Sequence, residues 1–591
     1  MRREWLFWLI PCLLAFILYL WTVGFGLIFD DRPLIVENPQ VHSWDYLPRL
    51  LTTHLWSYQT VESPIPQYRP VFSVWLLMVY SFAGASPGIW HLVSVLLHVL
   101  ATYLLYSLAR ESLGSAYAAS AAALLFAVHP IHVEAVSWVA SCNEPLYTIL
   151  VVSSLFVFCR GLRGETIGWF SVYWKALSVI LWTAAIFTKE SALPVLAVFF
   201  YLAYMSNASL ALRQRLVTTV RLVAPYLAAV FLYFGARFFA IGGFGLEKGE
   251  HTWQQVFCST PSICVFYLQK LVLPFKLSPF YLNPVLSLPQ SRVWATYGIL
   301  LLLFTVLGWL SLRHSFTSST IGLASLLLFL PMLPVLVGIR TFFEGELSHD
   351  RYMYLPSVGL CLFVGLVAHR CLNFSKKASL PVGAVLVVLF VLLTLAQEKF
   401  YKNDEAYFKR GIEVSPDNVR VIDYLGEYYA SSGRMDEALR EIKRAHAMKP
   451  NDSDTNFHLA IALFNDKQFS AAEPYLQQLS RLSGDAPSRH ELVLFALGQT
   501  ELSLSHLGQA QSILRQLASE DDSYPGLHGT LGSLYVLLGR ISDGQKEFSR
   551  EAEVTGDPAA RHNAAYLNAV LRGEAPPPPQ AGDSSPMQKA P

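Results

Sequence analysis

The sequence predicts an all-α protein in which a polytopic transmembrane helix bundle precedes a soluble α-solenoid. Of its 591 residues, 53% are hydrophobic and 15% charged, whereas soluble chains carry about 25% charged residues. Long apolar runs stop near residue 398, and a repeat of about 34 residues follows. A purely soluble enzyme is therefore excluded. The net charge of +1 also argues against nucleic acid as a partner.

About eleven apolar runs are long enough to cross a hydrocarbon core of about 30 Å as helices. The first run lacks a small-residue cleavage site, so we expect a retained anchor rather than a signal peptide. The stretches 71–83 and 256–274 are re-entrant, interfacial or additional spans, which gives about 11–13 spans in total. The predicted spans are 5–28, 90–110, 114–128, 143–160, 169–188, 191–206, 216–240, 295–312, 320–340, 351–371 and 380–397.

Clusters of Lys and Arg predict which loops are cytoplasmic. With a cytoplasmic N-terminus, the loop 29–89, the segment 129–142, the loop 341–350 and everything after residue 397 face outward. This assignment depends on the segment 241–294, because one extra span there would reverse the predicted sidedness of every later loop. The basic clusters are Arg2-Arg3, Arg160 to Arg163, Arg213 to Arg221, Arg313 and Arg370 to Lys377.

The C-terminal part of the chain repeats at the tetratricopeptide period. Pro416-Asp417-Asn418 recurs about 34 residues later as Pro450-Asn451-Asp452. Small residues such as those in Leu425-Gly426, Leu497-Gly498 and Leu531-Gly532 would let paired helices pack closely. The predicted domains are a membrane domain over 1–398, a repeat domain over 403–573 and a disordered Pro-rich tail over 575–591.

Asp30 and Asp31 directly follow the first apolar run. Two adjacent carboxylates at a membrane boundary are costly unless they are solvated, paired or used, and one of them could act as a general base. A hydrated turn or a helix stop is the structural alternative. No third acidic ligand is evident nearby, so we expect no metal here. The seven cysteines show neither CxxC nor zinc spacing, so disulfides and structural zinc are not expected.

Histidines form a second set of candidates. His91 and His98 share one face of a predicted span, where they would serve a cavity or interhelical hydrogen bonds. His129, His132 and Glu134 crowd an outward helix end. Such a set could be a metal site, a proton relay or a ligand clamp, but its spacing is not that of HExxH.

Two cations are candidate phosphate ligands. Lys189, next to Glu190, lies between two predicted spans, and Arg351 lies at an outward helix start. Both could bind a phosphate, although an internal ion pair and an interfacial anchor are the simpler explanations. No Walker A, GxGxxG or GxSxG motif is present, which argues against ATP-driven pumps, dinucleotide enzymes and serine hydrolases.

In their order along the chain, these residues resemble the transmembrane and tetratricopeptide-repeat (TMTC-type) O-mannosyltransferases, within the GT-C glycosyltransferases. Cys142-Asn143-Glu144 departs from the Gly-Arg-Ala/Asp-type stretch expected in that family. The resemblance is carried by Asp30-Asp31, Tyr68-Arg69-Pro70, Trp90-His91 through His98, His129 to Val136, Lys189-Glu190, Arg351 to Ser357 and the repeats.

The resemblance implies transfer of a sugar, mannose above all, from a polyprenyl- or dolichyl-phosphate donor to protein Ser or Thr on the non-cytoplasmic face, with no cofactor. It also implies that the acidic pair supplies the catalytic base, without separating Asp30 from Asp31. His91, His129, His132 and Glu134 would orient donor or acceptor. Arg69, Lys189 and Arg351 would stabilise the leaving phosphate.

Three alternatives stay open. The same donor could serve a glycolipid or polysaccharide acceptor, or the chain could be a non-catalytic membrane scaffold whose repeats recruit partners. A transporter is disfavoured, because the hydropathy shows no inverted repeat. Cysteine-free repeats favour a bacterial inner membrane with a periplasmic repeat domain over an endoplasmic reticulum membrane with a lumenal one.

Overall fold

A computed structural model defines the fold of most of the chain. Every regular element within these residues is a helix, which confirms the all-α prediction. Arg2, Arg3, Arg163 and the predicted tail from residue 579 lie outside them. The described residues are 4–59, 67–162, 169–243, 250–288, 290–313, 316–342, 346–374, 376–482 and 487–578.

The chain forms two compact units. The first comprises Met1–Tyr58 and Ser63–Val421, and the second comprises Gln59–Glu62 and Ile422–Pro591. The division lies about 20 residues beyond the predicted end of the membrane domain. The helix Asp404–Val414 consequently belongs to the first unit and not to the repeats.

Over its described residues, the first unit is built from 17 α-helices joined by short 3₁₀ segments and one π-helical segment, Arg32–Val36. They are α1 Leu6–Tyr19, α2 Leu47–Thr52, α3 Pro70–Ala83, α4 Pro87–Leu113, α5 Ala116–Val128, α6 Val133–Ser137, α7 Asn143–Leu162, α8 Trp169–Thr188, α9 Leu196–Ser206, α10 Leu212–Ile241, α11 Trp253–Val272, α12 Ser291–Ser311, α13 Phe316–Phe329, α14 Leu333–Gly338, α15 Tyr354–Phe374, α16 Lys376–Glu398 and α17 Asp404–Val414. The 3₁₀ segments that matter for the site are Leu20–Gly24, Pro130–His132, Val139–Cys142, Glu190–Val195 and Asp350–Met353.

Eight helical segments among the described residues are long and apolar enough to cross a membrane, and a polytopic bundle is thereby confirmed. A ninth forms if Ala116–Val128 and Pro130–Ser137, which meet at 51°, count as one broken span. Val172–Thr188 and Glu190–Ser206, two of the eleven predicted spans, are apolar but shorter. The predicted count of eleven and the sidedness derived from it therefore stay predictions.

The outer helices of the first unit expose apolar side chains. Only 11% of the most apolar window of Ser291–Ser311 is buried, and Ile299 on that helix is 66% exposed. By contrast, 61% of the corresponding window of Val139–Leu162 is buried. An exposed apolar surface of this extent on a helix long enough to span is typical of contact with lipid. We therefore assign Ser291–Ser311 to the lipid-facing surface and Val139–Leu162 to the bundle core.

The second unit consists of helical hairpins that recur along the chain. Its helices are α18 Val419–Ser431, α19 Met435–Met448, α20 Ser453–Asn465, α21 Phe469–Ser480, α22 Pro487–Ser503, α23 Leu507–Glu520, α24 Leu527–Leu537, α25 Ile541–Thr555 and α26 Pro558–Leu571.

The glycine of each Leu-Gly pair noted in the sequence allows the two helices of a hairpin to approach closely. A Cβ added at Gly426 would lie 2.4 Å from Ile442 Cγ1, so only glycine fits without displacing α19. The equivalent glycines, Gly498 and Gly532, make the same approach to the second helix of their own hairpins. The Leu-Gly pairs singled out in the sequence are therefore packing residues.

Candidate active site

The acidic pair lies in the turn after the first span, and its two side chains have different surroundings. Asp31 is fully buried, and its carboxylate accepts hydrogen bonds from the Ile28 N–H at 2.9 Å and the Ala140 N–H at 2.6 Å. Asp30 is half-buried and lines a cavity. Asp31 therefore holds the turn against the segment Val139–Cys142, while Asp30 is the carboxylate that a substrate can reach.

The cavity next to Asp30 has a volume of about 290 Å³ and lies within the first unit. Its walls combine charge with apolar surface, which includes Phe72, Leu193, Phe234 and Val335. Such a mixture suits an amphipathic ligand, because few polar groups fix orientation while apolar walls exclude water. The charged lining residues are Asp30, Arg69, Glu144, Lys189, Glu190, Arg237 and Arg351.

Burial changes the proton affinity of both aspartates. It raises the pKa of Asp30 to about 7, against the opposing effect of the Arg351 guanidinium. Burial also raises the pKa of Asp31, although the two N–H groups that it accepts favour its charged form. A carboxyl with a pKa near neutrality accepts a proton more readily than an ordinary aspartate does, as general base catalysis requires.

The structure places all three predicted cations on the cavity, and each is paired with a carboxylate. Arg69 binds Glu190 with two N–H groups, one of them at 3.1 Å from Nε to Oε2. Lys189 Nζ pairs with one oxygen of Glu144, Oε1. The pairing leaves these side chains oriented by the protein, so they offer fixed positive charge and not a flexible tether.

Arg351 is held by Glu134, which does not line the cavity. The Glu134 carboxylate is buried, pairs with the Arg351 guanidinium and accepts the Arg351 N–H at 3.0 Å. His349 Nδ1 lies 3.5 Å from the same carboxylate. The expectation that Glu134 contacts donor or acceptor thus finds no support in the geometry, because its oxygens bind the protein itself.

The predicted histidines lie inside the helix bundle. None of them is among the described residues that line the cavity. His91 bonds Gly26 O at 3.2 Å and His129 bonds Leu271 O at 2.9 Å. His132 bonds Phe126 O and Ser357 Oγ, both at 2.8 Å, and His98 bonds Tyr354 OH at 2.7 Å. These are hydrogen bonds between bundle segments, the simpler of the two interpretations of the sequence.

Arg237 is a cavity residue that the sequence analysis missed. It lies on α10, and its Nη1 donates to Tyr233 OH at 3.3 Å. A cation inside an otherwise apolar span is a candidate functional residue by default, so its position in Leu212–Ile241 was a usable signal.

A second missed residue is Asp404 on α17, which is buried. It accepts the Phe29 N–H at 2.7 Å and pairs with the Arg32 guanidinium, so it binds the turn on both sides of the acidic pair. Phe29 has a φ of 46°, a left-handed conformation that is costly for an aromatic residue. Its ring packs against Tyr407 and Phe408 of the same helix. α17 thereby stabilises the backbone conformation that presents Asp30.

Loss of the Asp404 carboxylate is expected to impair the acidic pair without touching the cavity. Asp404→Ala removes both contacts and should lower the activity that depends on Asp30 by about tenfold or more. Asp404→Asn keeps an acceptor for the Phe29 N–H and should lose less. The matched control is Glu405→Gln, because Glu405 on the same helix pairs with the exposed Lys409. Equal activity in all three variants would contradict a positioning role.

Comparisons with known proteins match both units. Residues 429–493 match the Tetratricopeptide repeat family. Human Protein O-mannosyl-transferase TMTC3 is 22% identical over 90% of this chain and 62% of its own length. Protein O-mannosyl-transferase F38B6.6 of Caenorhabditis elegans is 25% identical over 74% of this chain and 62% of its own length. The predicted resemblance to TMTC-type proteins is therefore confirmed.

The chain spans about 62% of the length of these two relatives. Among solved structures, an Archaeoglobus fulgidus oligosaccharyltransferase tethered with an acceptor peptide matches 74% of this chain and 58% of that chain. Its identity is 12% and its TM-score 0.33, values at which the likeness does not establish a common fold.

Proposed function

We propose that this protein is a membrane glycosyltransferase that transfers a sugar, mannose in the first place, from a polyprenyl- or dolichyl-phosphate donor to protein Ser or Thr hydroxyls. The observation that carries the proposal is the cavity at Asp30, where a carboxylate without a cation partner of its own among the described wall residues shares that wall with Arg69, Lys189 and Arg351, each paired with another carboxylate. A base and a group of cations are what a hydroxyl nucleophile and a phosphate leaving group need. The names of the relatives support the sugar and the protein acceptor.

The proposed reaction is a single displacement. The acceptor oxygen forms a bond to the anomeric carbon while its proton passes to the Asp30 carboxylate. The bond from that carbon to the phosphate oxygen breaks, and the lipid phosphate leaves with the electron pair. Attack and departure on opposite faces invert the anomeric centre. The cations stabilise the charge that develops on the phosphate, so neither a metal nor a cofactor enters the proposal.

The proposal also assigns roles to the rest of the chain. The apolar part of the cavity wall, with Phe234 on α10 and Val335 on α14, would contact the lipid portion of the donor. The tetratricopeptide unit would bind the acceptor protein, since solenoids of this kind present extended binding surfaces. The active cavity would face the non-cytoplasmic side, either a bacterial periplasm or an endoplasmic reticulum lumen.

A transfer assay tests this function. The full chain in lipid nanodiscs receives radiolabelled mannosyl-phosphoprenol and a Ser/Thr-containing membrane protein fraction. We expect label in protein with wild type and with Asp45→Asn, an exposed aspartate of the same loop, but not with Asp30→Asn. If label appears only in glycolipid or polysaccharide, the acceptor is that molecule and not a protein. Absence of transfer from every sugar lipid would favour the scaffold.

A further inference from the structure

We infer that the wall segment formed by Trp138, Ser141 and Asn143 is the subsite for the hydroxyl groups of the transferred sugar. The inference rests on the proposed function and deepens it, because it assigns a hexose, and not the phosphate or the acceptor, to one side of the cavity. All three residues line the cavity with Asp30.

The first support is a set of polar atoms without hydrogen-bond partners. Trp138 Nε1, Ser141 Oγ and Asn143 Oδ1 are buried and make no hydrogen bond among the described residues. Each of the three residues is at least nine-tenths buried. A buried polar group without a partner is destabilising, and such groups are rare in folded proteins. Other described residues, Ser137 among them, also hold such atoms away from the cavity, so it is the position of these three on one cavity wall, within six residues, that points to partners supplied by a ligand.

The second support is the position of the segment relative to the base. The Ala140 N–H donates to Asp31 Oδ1 at 2.6 Å, which fixes the segment Val139–Cys142 directly against the acidic turn. A sugar bound to Ser141 would consequently lie beside Asp30, where the acceptor hydroxyl has to be deprotonated. The same contact would keep the distance between sugar and base constant during the reaction.

The third support is the hydrogen-bonding capacity of the three groups. The indole N–H only donates, the serine hydroxyl both donates and accepts, and the Asn143 oxygen only accepts. Sugar hydroxyls donate and accept, so they can satisfy all three. The donor phosphate, a singly charged diester, only accepts, and the Asn143 oxygen would repel it. The phosphate is better served by Arg69 and Arg351 on the cationic part of the wall.

Binding measurements test the subsite independently of turnover. The ligands are mannosyl-phosphoprenol and the same phosphoprenol without sugar, titrated into the full chain in nanodiscs. Wild type should bind the sugar-bearing lipid more tightly. Ser141→Ala and Trp138→Phe should each weaken that binding about tenfold and leave the sugar-free lipid unaffected. Trp138→Phe retains a ring next to Arg351, which contacts the indole at 4.7 Å.

The matched control is Ser137→Ala. Ser137 Oγ is also buried without a hydrogen-bond partner among the described residues, but Ser137 is not one of the cavity residues. It should leave the binding of both lipids unchanged. An equal loss with Ser137→Ala would overturn the inference, since the effect would then reflect general disturbance of the segment.

The remaining outcomes separate the inference from the proposed function. If wild type prefers the sugar-bearing lipid and neither Ser141→Ala nor Trp138→Phe alters that preference, the subsite is wrong and the function stands. If both variants weaken both lipids equally, the segment contacts phosphate or chain, and the inference is again wrong. If wild type binds neither lipid or does not distinguish them, the proposed donor fails and the inference fails with it.

Discussion

Asp30→Asn is expected to reduce sugar transfer by about 10²–10⁴-fold, the range associated with loss of a general base. The amide cannot take the acceptor proton, but it has nearly the size of the carboxylate. It also occupies a half-buried position on the cavity wall, where little packing depends on it. Binding of the donor and thermal stability should therefore change little. Single-turnover transfer at saturating donor measures the chemical step directly.

The matching variant is Asp31→Asn, which tests the division of roles within the pair. Its amide group can accept only one of the two backbone N–H groups that Asp31 binds, and its own NH₂ would face the other. We expect a lower melting temperature and a partial loss of transfer. A folded Asp31→Asn protein as inactive as Asp30→Asn would contradict the assignment of the base to Asp30 alone.

The same assignment predicts how transfer depends on pH. Asp30 acts as a base only when deprotonated, and burial raises its pKa to about 7. The rate of the chemical step should thus be fully present above that pH and fall about tenfold per pH unit below it. An unperturbed aspartate, with a pKa near about 3.9, would give a flat profile over the same range. A rate of the chemical step that stays constant between about pH 5 and pH 8 would therefore exclude Asp30 as the general base of that step.

The acidic pair shows what a sequence can and cannot specify about such a site. Two adjacent aspartates after an apolar run are visible in the chain, and so is their location at the membrane boundary. Which one meets substrate depends on the Ala140 N–H, 109 residues away, which takes up one oxygen of Asp31. A contact of that separation has no local signal in the sequence.

The histidines illustrate the opposite case, in which residue type suggested chemistry that the packing does not support. His129 and His132 occur next to Glu134 in the sequence, yet the two imidazoles turn to Leu271 O and Ser357 Oγ, and the carboxylate turns to Arg351. Imidazole satisfies buried carbonyls as well as it binds ligands. The segments that pack around it decide between the two uses.

The helix bundle and the repeats were predictable because their periodicity is local. Apolar runs of sufficient length predict spans, and the 34-residue period predicts paired helices whose glycines meet a neighbouring helix. The place of the helix Asp404–Val414 in the first unit was not predictable in this way, because the helix is charged and amphipathic like the repeats whereas its contacts belong to the first unit. Composition predicts a domain boundary where the apolar runs end. The packing of Tyr407 and Phe408 on Phe29 instead joins this helix to the first unit, so the boundary lies after it.

The largest effect on stability is expected at the ion pair between Glu134 and Arg351. Arg351→Met leaves a fully buried carboxylate without its cation, which typically costs about 3–5 kcal/mol. Glu134→Met leaves the guanidinium, 17% exposed, without its anion, and should cost somewhat less. Unfolding followed by tryptophan fluorescence in detergent measures both. The matched control is Glu413→Ala, which removes a solvent-exposed carboxylate from its pair with Arg410 while Arg410 keeps its hydrogen bond to Leu277 O, and it should cost about 0–1 kcal/mol.

The double variant Glu134→Met/Arg351→Met separates stability from function. Because it removes both charges, it should recover most of the stability that either single variant loses, as apolar replacements of buried ion pairs do. It should not recover transfer, since the guanidinium that faces the cavity is absent. Recovery of stability together with full transfer would show that Arg351 serves only to neutralise Glu134, and the leaving phosphate would then depend on Arg69, Lys189 and Arg237. A double variant as unstable as the single ones would instead locate the cost in packing around Trp138, whose ring the guanidinium covers.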